Sequence, residues 1–232
     1  MARRKPPTPT KSRNGGVIIE GEYPEINRTS TKLFSLDAAL GGGLPTRSAV
    51  ELFGYANSCK STMSYYLAGI VAGENGGTIE LGDFEGLSRE YLSRAGSMAQ
   101  SSTPIRVRLV PITEGTGKNI KPSSAENMLT VLRDRFSEEG SGAAIMDSVS
   151  AIVPNSELEG EISDAVVGKR AQVVARFMRS MIMWLRNKER PANVFIVNHL
   201  FGIIGGRGSI TAGGESVKNL PAVRIRLQPI EK

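Results

Sequence analysis

Gly54-Tyr55-Ala56-Asn57-Ser58-Cys59-Lys60-Ser61 joins an apolar run suited to a buried strand, Ala49-Val50-Glu51-Leu52-Phe53, to a helix-like run from Met63 to Val71. A loop in that setting cradles polyphosphate, because successive backbone N–H groups and the following helix N-terminus converge on the anion. Lys60 supplies the mobile charge such a cradle needs, and Ser61 the hydroxyl that ligates Mg²⁺, with Thr62 behind it. Cys59 stands where the G-x-x-x-x-G-K-[ST] pattern has its second glycine, a residue used there because the backbone passes close to phosphate at dihedrals a Cβ disfavours. Taken alone, the octapeptide has a weaker second reading, a Ser/Gly-rich turn that opens a helix, so the rest of the chain has to decide.

At 232 residues and 40% hydrophobic, the chain can bury one good-sized core, and one domain with a tail is expected. No apolar run reaches membrane-spanning length, and the Arg- and Pro-rich start lacks a signal peptide's apolar segment, which predicts a cytoplasmic protein with no membrane partner. One cysteine excludes an internal disulfide, and one histidine leaves no His/Cys cluster for a transition metal. Any metal is then expected to be nucleotide-bound Mg²⁺. The net charge of +6 owes five positive charges to Arg3, Arg4, Lys5, Lys11 and Arg13, all before the first acid at Glu20, so the remainder is nearly balanced. Residues 1–14, with Pro6-Pro7-Thr8-Pro9, read as a disordered basic arm that either contacts phosphate backbones or only solubilises.

Residues 15–31 have β character followed by a turn-rich link, and read as a peripheral strand or docking segment before a core spanning 32–232. Strands are predicted near 49–53, 78–83, 105–110, 142–147, 194–198 and 223–227, and helices near 61–73, 87–96, 124–138 and 165–188. That alternation predicts an α/β fold with a mainly parallel twisted sheet flanked by helices. Ligands in such sheets gather beyond the strand C-termini. The candidate residues lie at those ends. Gly142–Asp147 ends in an acid placed to hold Mg²⁺ through water. Thr78–Asp83 is followed by Glu85, which is suited to deprotonating an attacking water, although a solvated acidic loop reads the same way. Val194–Val197 runs into Asn198 and His199, two hydrogen-bonding side chains suited to a γ-phosphate, although from the residues alone a lone histidine reads more readily as a satisfied structural one.

The order and wording of these segments resemble the RecA family of strand-exchange ATPases, in its bacterial and phage branch, over approximately residues 30–230. The most specific match is Asp147-Ser-Val-Ser-Ala-Ile-Val-Pro154-Asn-Ser-Glu157-Leu-Glu159-Gly160-Glu161-Ile-Ser-Asp164, which is similar to the strand leading into the family's first DNA-binding loop. Ser35-Leu36-Asp37-Ala-Ala-Leu40-Gly-Gly-Gly-Leu44-Pro45 matches the entry to the ATPase core. The resemblance implies a RecA-like P-loop ATPase core that binds ATP through Gly54 to Thr62, with Lys60 on phosphate, Ser61 and Asp147 as direct and water-mediated Mg²⁺ ligands, and Glu85 as catalytic glutamate. Asn198 and His199 fall where the family has Asn-Gln, a pair linking the γ-phosphate to the second DNA loop; His keeps a donor and adds pH sensitivity. Tyr91 resembles the tyrosine that stacks on adenine, at a spacing from Glu85 one residue short. Phage recombinases similar to RecA tolerate a bulkier residue in place of the second loop glycine.

The family's DNA loops correspond to about 155–168 and 199–214, the second rich in glycine. By resemblance Ile204 is an apolar wedge in the base stack, Arg207 lies in the same loop, and Gly213 and Gly214 are loop-end positions approaching phosphate. Lys169, Arg170 and Arg179 are candidate DNA phosphate contacts on the helix that follows the first loop, where a solvated basic face is the competing reading. Val173, Val174, Phe177, Met181, Ile182 and Leu185 on that helix have core spacing. The implied partners are single- and double-stranded DNA, further copies of the chain in a helical filament, and mediator proteins, in the nucleoid of a bacterial or phage-infected cell. On this resemblance no counterpart is expected for the family's long N-terminal polymerisation helix or C-terminal DNA-gathering domain, and Lys218 is the candidate for the basic residues that reach a neighbour's nucleotide. That departure argues against efficient hydrolysis across a subunit boundary. The expectations are therefore a DNA-dependent ATPase performing homologous pairing and strand exchange, a paralogue that uses ATP only to gate DNA binding or regulate recombination, or a ring-forming motor of the same fold.

Overall fold

The computed structural model describes residues 27–75, 77–87, 90–93, 104–161, 168–202 and 208–229. In chain order the strands are β1 (Arg28–Thr29), β2 (Leu44–Pro45), β3 (Ser48–Gly54), β4 (Thr78–Asp83), β5 (Arg106–Leu109), β6 (Thr113–Glu114), β7 (Lys121–Pro122), β8 (Ser141–Asp147), β9 (Asn193–Gly202), β10 (Ser209–Thr211) and β11 (Val223–Leu227). The helices are α1 (Phe34–Ala39), α2 (Lys60–Asn75), α3 (Ala125–Ser137), α4 (Asn155–Leu158), α5 (Lys169–Asn187) and α6 (Glu215–Asn219). The central sheet runs in the order β11-β3-β9-β8-β4-β5, all parallel, with β10 added antiparallel to the end of β9. The expected fold class is the one observed.

Strand alternation divides the core between two helical layers. Val50, Leu52, Ile79, Leu81, Ala143, Ile145 and Phe195 face α2, meeting Tyr65, Leu67, Ala68 and Val71. Ala144, Met146, Val194 and Ile196 face the other way, onto Leu129, Leu132 and Phe136 of α3 and Val174, Phe177, Met178, Met181 and Leu185 of α5. Of the residues given core spacing on α5, Val174, Phe177, Met181 and Leu185 are buried, whereas Val173 and Ile182 sit at the half-buried margin. The Ser124 hydroxyl caps α3 by accepting from Asn127 N at 3.3 Å, which sets where that helix begins.

The chain ahead of the core folds back onto it. β1 pairs with β2, and Asp37 of α1 accepts hydrogen bonds from Ser30 Oγ at 2.6 Å, Thr31 N at 2.7 Å and Thr31 Oγ1 at 2.6 Å. Packing on the core thus reaches back to Arg28, earlier than the boundary at 32 expected from sequence. The arm 1–14 and residues 15–26 of the expected docking segment lie outside the described residues. Beyond β9 the structure adds what periodicity did not give: the strand continues to Gly202, pairs with β10, and the chain returns through α6, whose Val217 enters the core. Among the described residues no helix is long and apolar enough to cross a membrane.

Candidate nucleotide site and the loops around it

Parallel register brings the C-terminal ends of β3, β4, β8 and β9 side by side: Gly54 is opposite His199, Phe53 opposite Asn198, and Asp83 opposite Asp147. The loop of Gly54 to Ser61 leaves β3 and enters α2 there. Gly54 has no substitute, since a Cβ would lie 2.2 Å from Leu227 O and 2.7 Å from Ser58 Oγ. Asn57 and Cys59 hold left-handed backbone, with φ of 59° and 61°. The misfit seen in the sequence thus has a physical meaning: Cys59 occupies a conformation that favours glycine, with its side chain exposed.

Lys60 is buried to 5% exposure and curls back over the loop, its Nζ donating to Tyr55 O at 2.7 Å and reaching Ser58 Oγ at 3.5 Å. Burial pushes its ammonium below the usual lysine range, against the pull of Glu85 and Asp147. Asp147 ends β8 fully buried, with Oδ2 accepting from Tyr65 Oη at 3.1 Å and Oδ1 without any hydrogen-bond partner. Its carboxyl is pushed up to about 6, chiefly by burial and by the nearby Glu85 and Asp83 charges, while the Ser61 and Tyr65 hydroxyls oppose the shift. An orphaned buried carboxylate oxygen beside the Ser61 hydroxyl and a lysine is the donor set that Mg²⁺ with a polyphosphate fits. Among the described residues no group of three or more His, Cys, Asp or Glu could hold a metal without such help.

Glu85 follows a turn in which Asp83 Oδ1 accepts from Glu85 N at 3.1 Å and Gly86 N at 2.8 Å, and Oδ2 from Leu87 N at 2.7 Å. The carboxylate accepts from Ser148 Oγ, and Nε2 of His199 lies 3.0 Å from its Oε1. The Tyr91 hydroxyl meets Thr62 Oγ1 at the start of α2, and its ring packs edge-on against Tyr65 at 6.2 Å. Asn198 is wholly buried. Its Nδ2 donates to Glu51 Oε1 at 2.9 Å and Ala212 O at 3.0 Å, which leaves Oδ1 as its unpartnered atom.

The candidate DNA residues gather at a neighbouring corner. Gly213 and Gly214, both at positive φ, bring the end of the second loop against Val149 and Val217 and against Ala171 of α5, so Lys169, Arg170 and the loop end are neighbours. Lys169 and Arg179 are exposed; Arg170 donates Nε to Ile152 O at 2.9 Å and lies 3.7 Å from Glu157. Ile204 and Arg207 lie outside the described residues, as do 162–167 of the first loop. At the root of the second loop Phe201 and Ile210 are directly opposed across β9 and β10, 48% and 53% exposed.

Sequence reasoning passed over Glu51, Arg224, Tyr65, Ser148 and Ile210, the cross-strand partner of Phe201. Glu51 and Arg224 carried a signal, since each is a charge inside a strand-like apolar run, and the register pairs them across β3 and β11. Tyr65 and Ser148 carried none, because only the packing aims their hydroxyls at Asp147 and Glu85.

Comparison with known proteins agrees with this geometry. The RecA N-terminal domain family model matches residues 118–232. Protein RecA of Rickettsia conorii is 30% identical over 222 residues, covering 93% of this chain. The chain belongs to the RecA family. Protein RecA of Clostridium novyi is 28% identical over a stretch of the same length, and the chain spans about 60% of the length of these RecA relatives. Membership accounts for the parallel sheet with its phosphate-type loop between β3 and α2, and Cys59 and His199 are the positions to weigh most carefully in this RecA-family chain.

Proposed function

We propose that this RecA-family chain is a DNA-dependent ATPase that assembles on single-stranded DNA as a helical filament and pairs it with homologous duplex. The observation that carries the reading is the convergence of Lys60, Asp147 and Glu85 at adjoining strand ends, with the candidate DNA loops rooted in the same strands and their following turns. Lys60, Ser61 and Asp147 would hold ATP·Mg²⁺, the metal supplying charge neutralisation on the transferred phosphoryl group. Glu85 takes a proton from the attacking water through a carboxylate oriented by Ser148 and His199. Lys60, desolvated in the loop, stabilises negative charge better than it would in water. Lys169, Arg170 and Arg179 position the DNA backbone, with Gly213, Gly214, Ile204 and Arg207 completing the contact, and such contacts are tolerant of base sequence. Residues 15–31 serve as a docking segment on the neighbouring subunit, and Tyr91 and Asn198 border the nucleotide. Mediator proteins and a place in the nucleoid belong to the same reading.

The test is ATP turnover with and without single-stranded DNA, with Lys60→Ala as the blank. Turnover that DNA stimulates and the substitution abolishes supports the proposal; turnover surviving in Lys60→Ala overturns the assignment of the loop. A second reading, an ATP-gated DNA-binding or regulatory protein with poor hydrolysis, is favoured by Cys59 at φ 61°. It predicts nucleotide-dependent DNA binding without turnover.

A further inference from the structure

Two groups converge on one oxygen of Glu85. Ser148 donates its hydroxyl to Oε1, and Nε2 of His199 approaches the same atom to 3.0 Å. Ser148 is fully buried and backed by Ser150, whose hydroxyl lies 2.8 Å from its own, so its grip is fixed. His199 and Glu85 keep 24% and 32% of their side-chain exposure, so solvent protons reach the pair. Among the described residues nothing bonds Oε2.

We propose that Ser148 and His199 are positioning residues that hold Glu85 by Oε1 and leave Oε2 as the proton acceptor, and that the His199 contact acts as a proton-operated latch on this base. The inference rests on Glu85 acting on water as proposed above. A neutral imidazole carrying its proton on Nε2 makes an ordinary hydrogen bond to Oε1. The imidazolium adds full Coulomb attraction, shortens and strengthens the contact, and draws electron density from the carboxylate. Protonation therefore tightens the latch and weakens the base together. The other charged groups around the pair come from three elements. Lys60 of α2 is coupled to Glu85 and Asp147, and Asp83 of β4 acts with Glu85 on Asp147 of β8. On its own strand His199 has the uncharged ring of Phe201 at 6.2 Å, at the root of the second loop. The latch thus sits where that loop departs, and reordering of β9 beyond His199 would move it.

Because His199 is the single histidine of the chain, its imidazole signals can be followed by NMR without ambiguity. In the full chain without nucleotide, at one fixed pH, Glu85→Gln should shift those signals, because the Nε2 contact to a carboxylate oxygen is replaced by one to a neutral amide. Unmoved signals overturn the pairing, whatever the protein's catalytic activity. The second measurement is the pH profile of DNA-stimulated turnover. Wild-type protein should lose rate on acidification from about pH 7.5 to 5.5 more steeply than His199→Gln, which keeps a donor that does not titrate in that range. Superimposable profiles overturn the proposal, since the contribution of Asp147 is common to both proteins. Ser148→Ala should lower kcat by roughly 10- to 100-fold with the KM for ATP unchanged. A raised KM with unaltered kcat would remove Ser148 from the positioning role. If no variant and no wild-type protein turns over ATP, the proposed function fails, and the NMR comparison still decides the pairing.

Discussion

Arg224 closes off a carboxylate that solvent does not reach: its Nε meets Oε2 of Glu51, whose side chain is fully buried. The guanidinium also lies over the Phe53 ring at 4.7 Å. The other Glu51 oxygen accepts from Asn198, which holds Ala212 O, so one ion pair under the phosphate loop reaches the end of the second loop.

Removing the cation strands the acid. Arg224→Ala should destabilise the fold by about 3 kcal/mol, at the lower end for a broken buried pair because Arg224 is 34% exposed. Glu51→Gln should cost less, since the amide keeps an acceptor for Asn198, and the double substitution should recover part of the loss. Urea denaturation of the four proteins checks the cycle; additive losses would mean that the pair is not coupled.

Cys59 carries a backbone cost that glycine does not. Relief of left-handed strain in Cys59→Gly, about 1 kcal/mol, is opposed by the larger entropy of an unfolded chain with glycine, so stability should change by less than about 1 kcal/mol. ATP affinity should rise, as calorimetry with a slowly hydrolysed analogue would show. Cys59→Val, β-branched at φ 61°, should instead destabilise by about 2 kcal/mol and weaken binding. Equal affinities in all three proteins would show that the loop accommodates any side chain here.

Asp147 holds the fold's main pH-dependent penalty at this site. Below about pH 3.8 the acid is protonated in both folded and unfolded chains; between there and about 6 the folded state keeps a proton that the unfolded state releases. Stability from this group therefore falls as pH rises through that window and stays lowered at neutral pH. Asp147→Asn should raise the melting temperature of the nucleotide-free protein at pH 7 by about 5–10 °C, from roughly 2–3 kcal/mol of relieved desolvation. The gain should shrink towards pH 4. A difference independent of pH would mean that packing, not ionisation, distinguishes the two side chains.

Phe201 and Ile210 form an exposed cross-strand pair at the root of the loop that the proposed function assigns to DNA. Replacing both with Ser should change stability by less than about 1 kcal/mol, because neither side chain is enclosed. Affinity for single-stranded DNA should fall roughly 10-fold if one base stacks there. Fluorescence anisotropy with a labelled oligonucleotide measures this, and undiminished binding would place the contact elsewhere.

Much of the architecture was legible because the apolar runs have strand length and turn residues flank them. Ala49–Phe53, Gly142–Asp147 and Val194–Asn198 read as strands buried on both faces, and α5 announced its inner face through Val174, Phe177, Met181 and Leu185. The hairpin of β9 and β10 was hidden because glycine obscures alternation, and β1 with β2 because two-residue strands have no period to detect. Lys60, Ser61, Asp147, Glu85 and His199 could be named as candidates because motif position and strand ends are local properties of the chain. That His199 lies against Glu85, 114 residues away, and that Arg224 covers Glu51, 173 residues away, is a matter of sheet order. A strand-length apolar run marks a strand buried on both faces; it carries no information about which strand lies beside it. The sequence by itself determined the layers, the phosphate-type loop and the acids at the strand ends. Only the tertiary structure decided which side chain holds which acid, because burial and charge pairing arise between strands that the parallel register brings together.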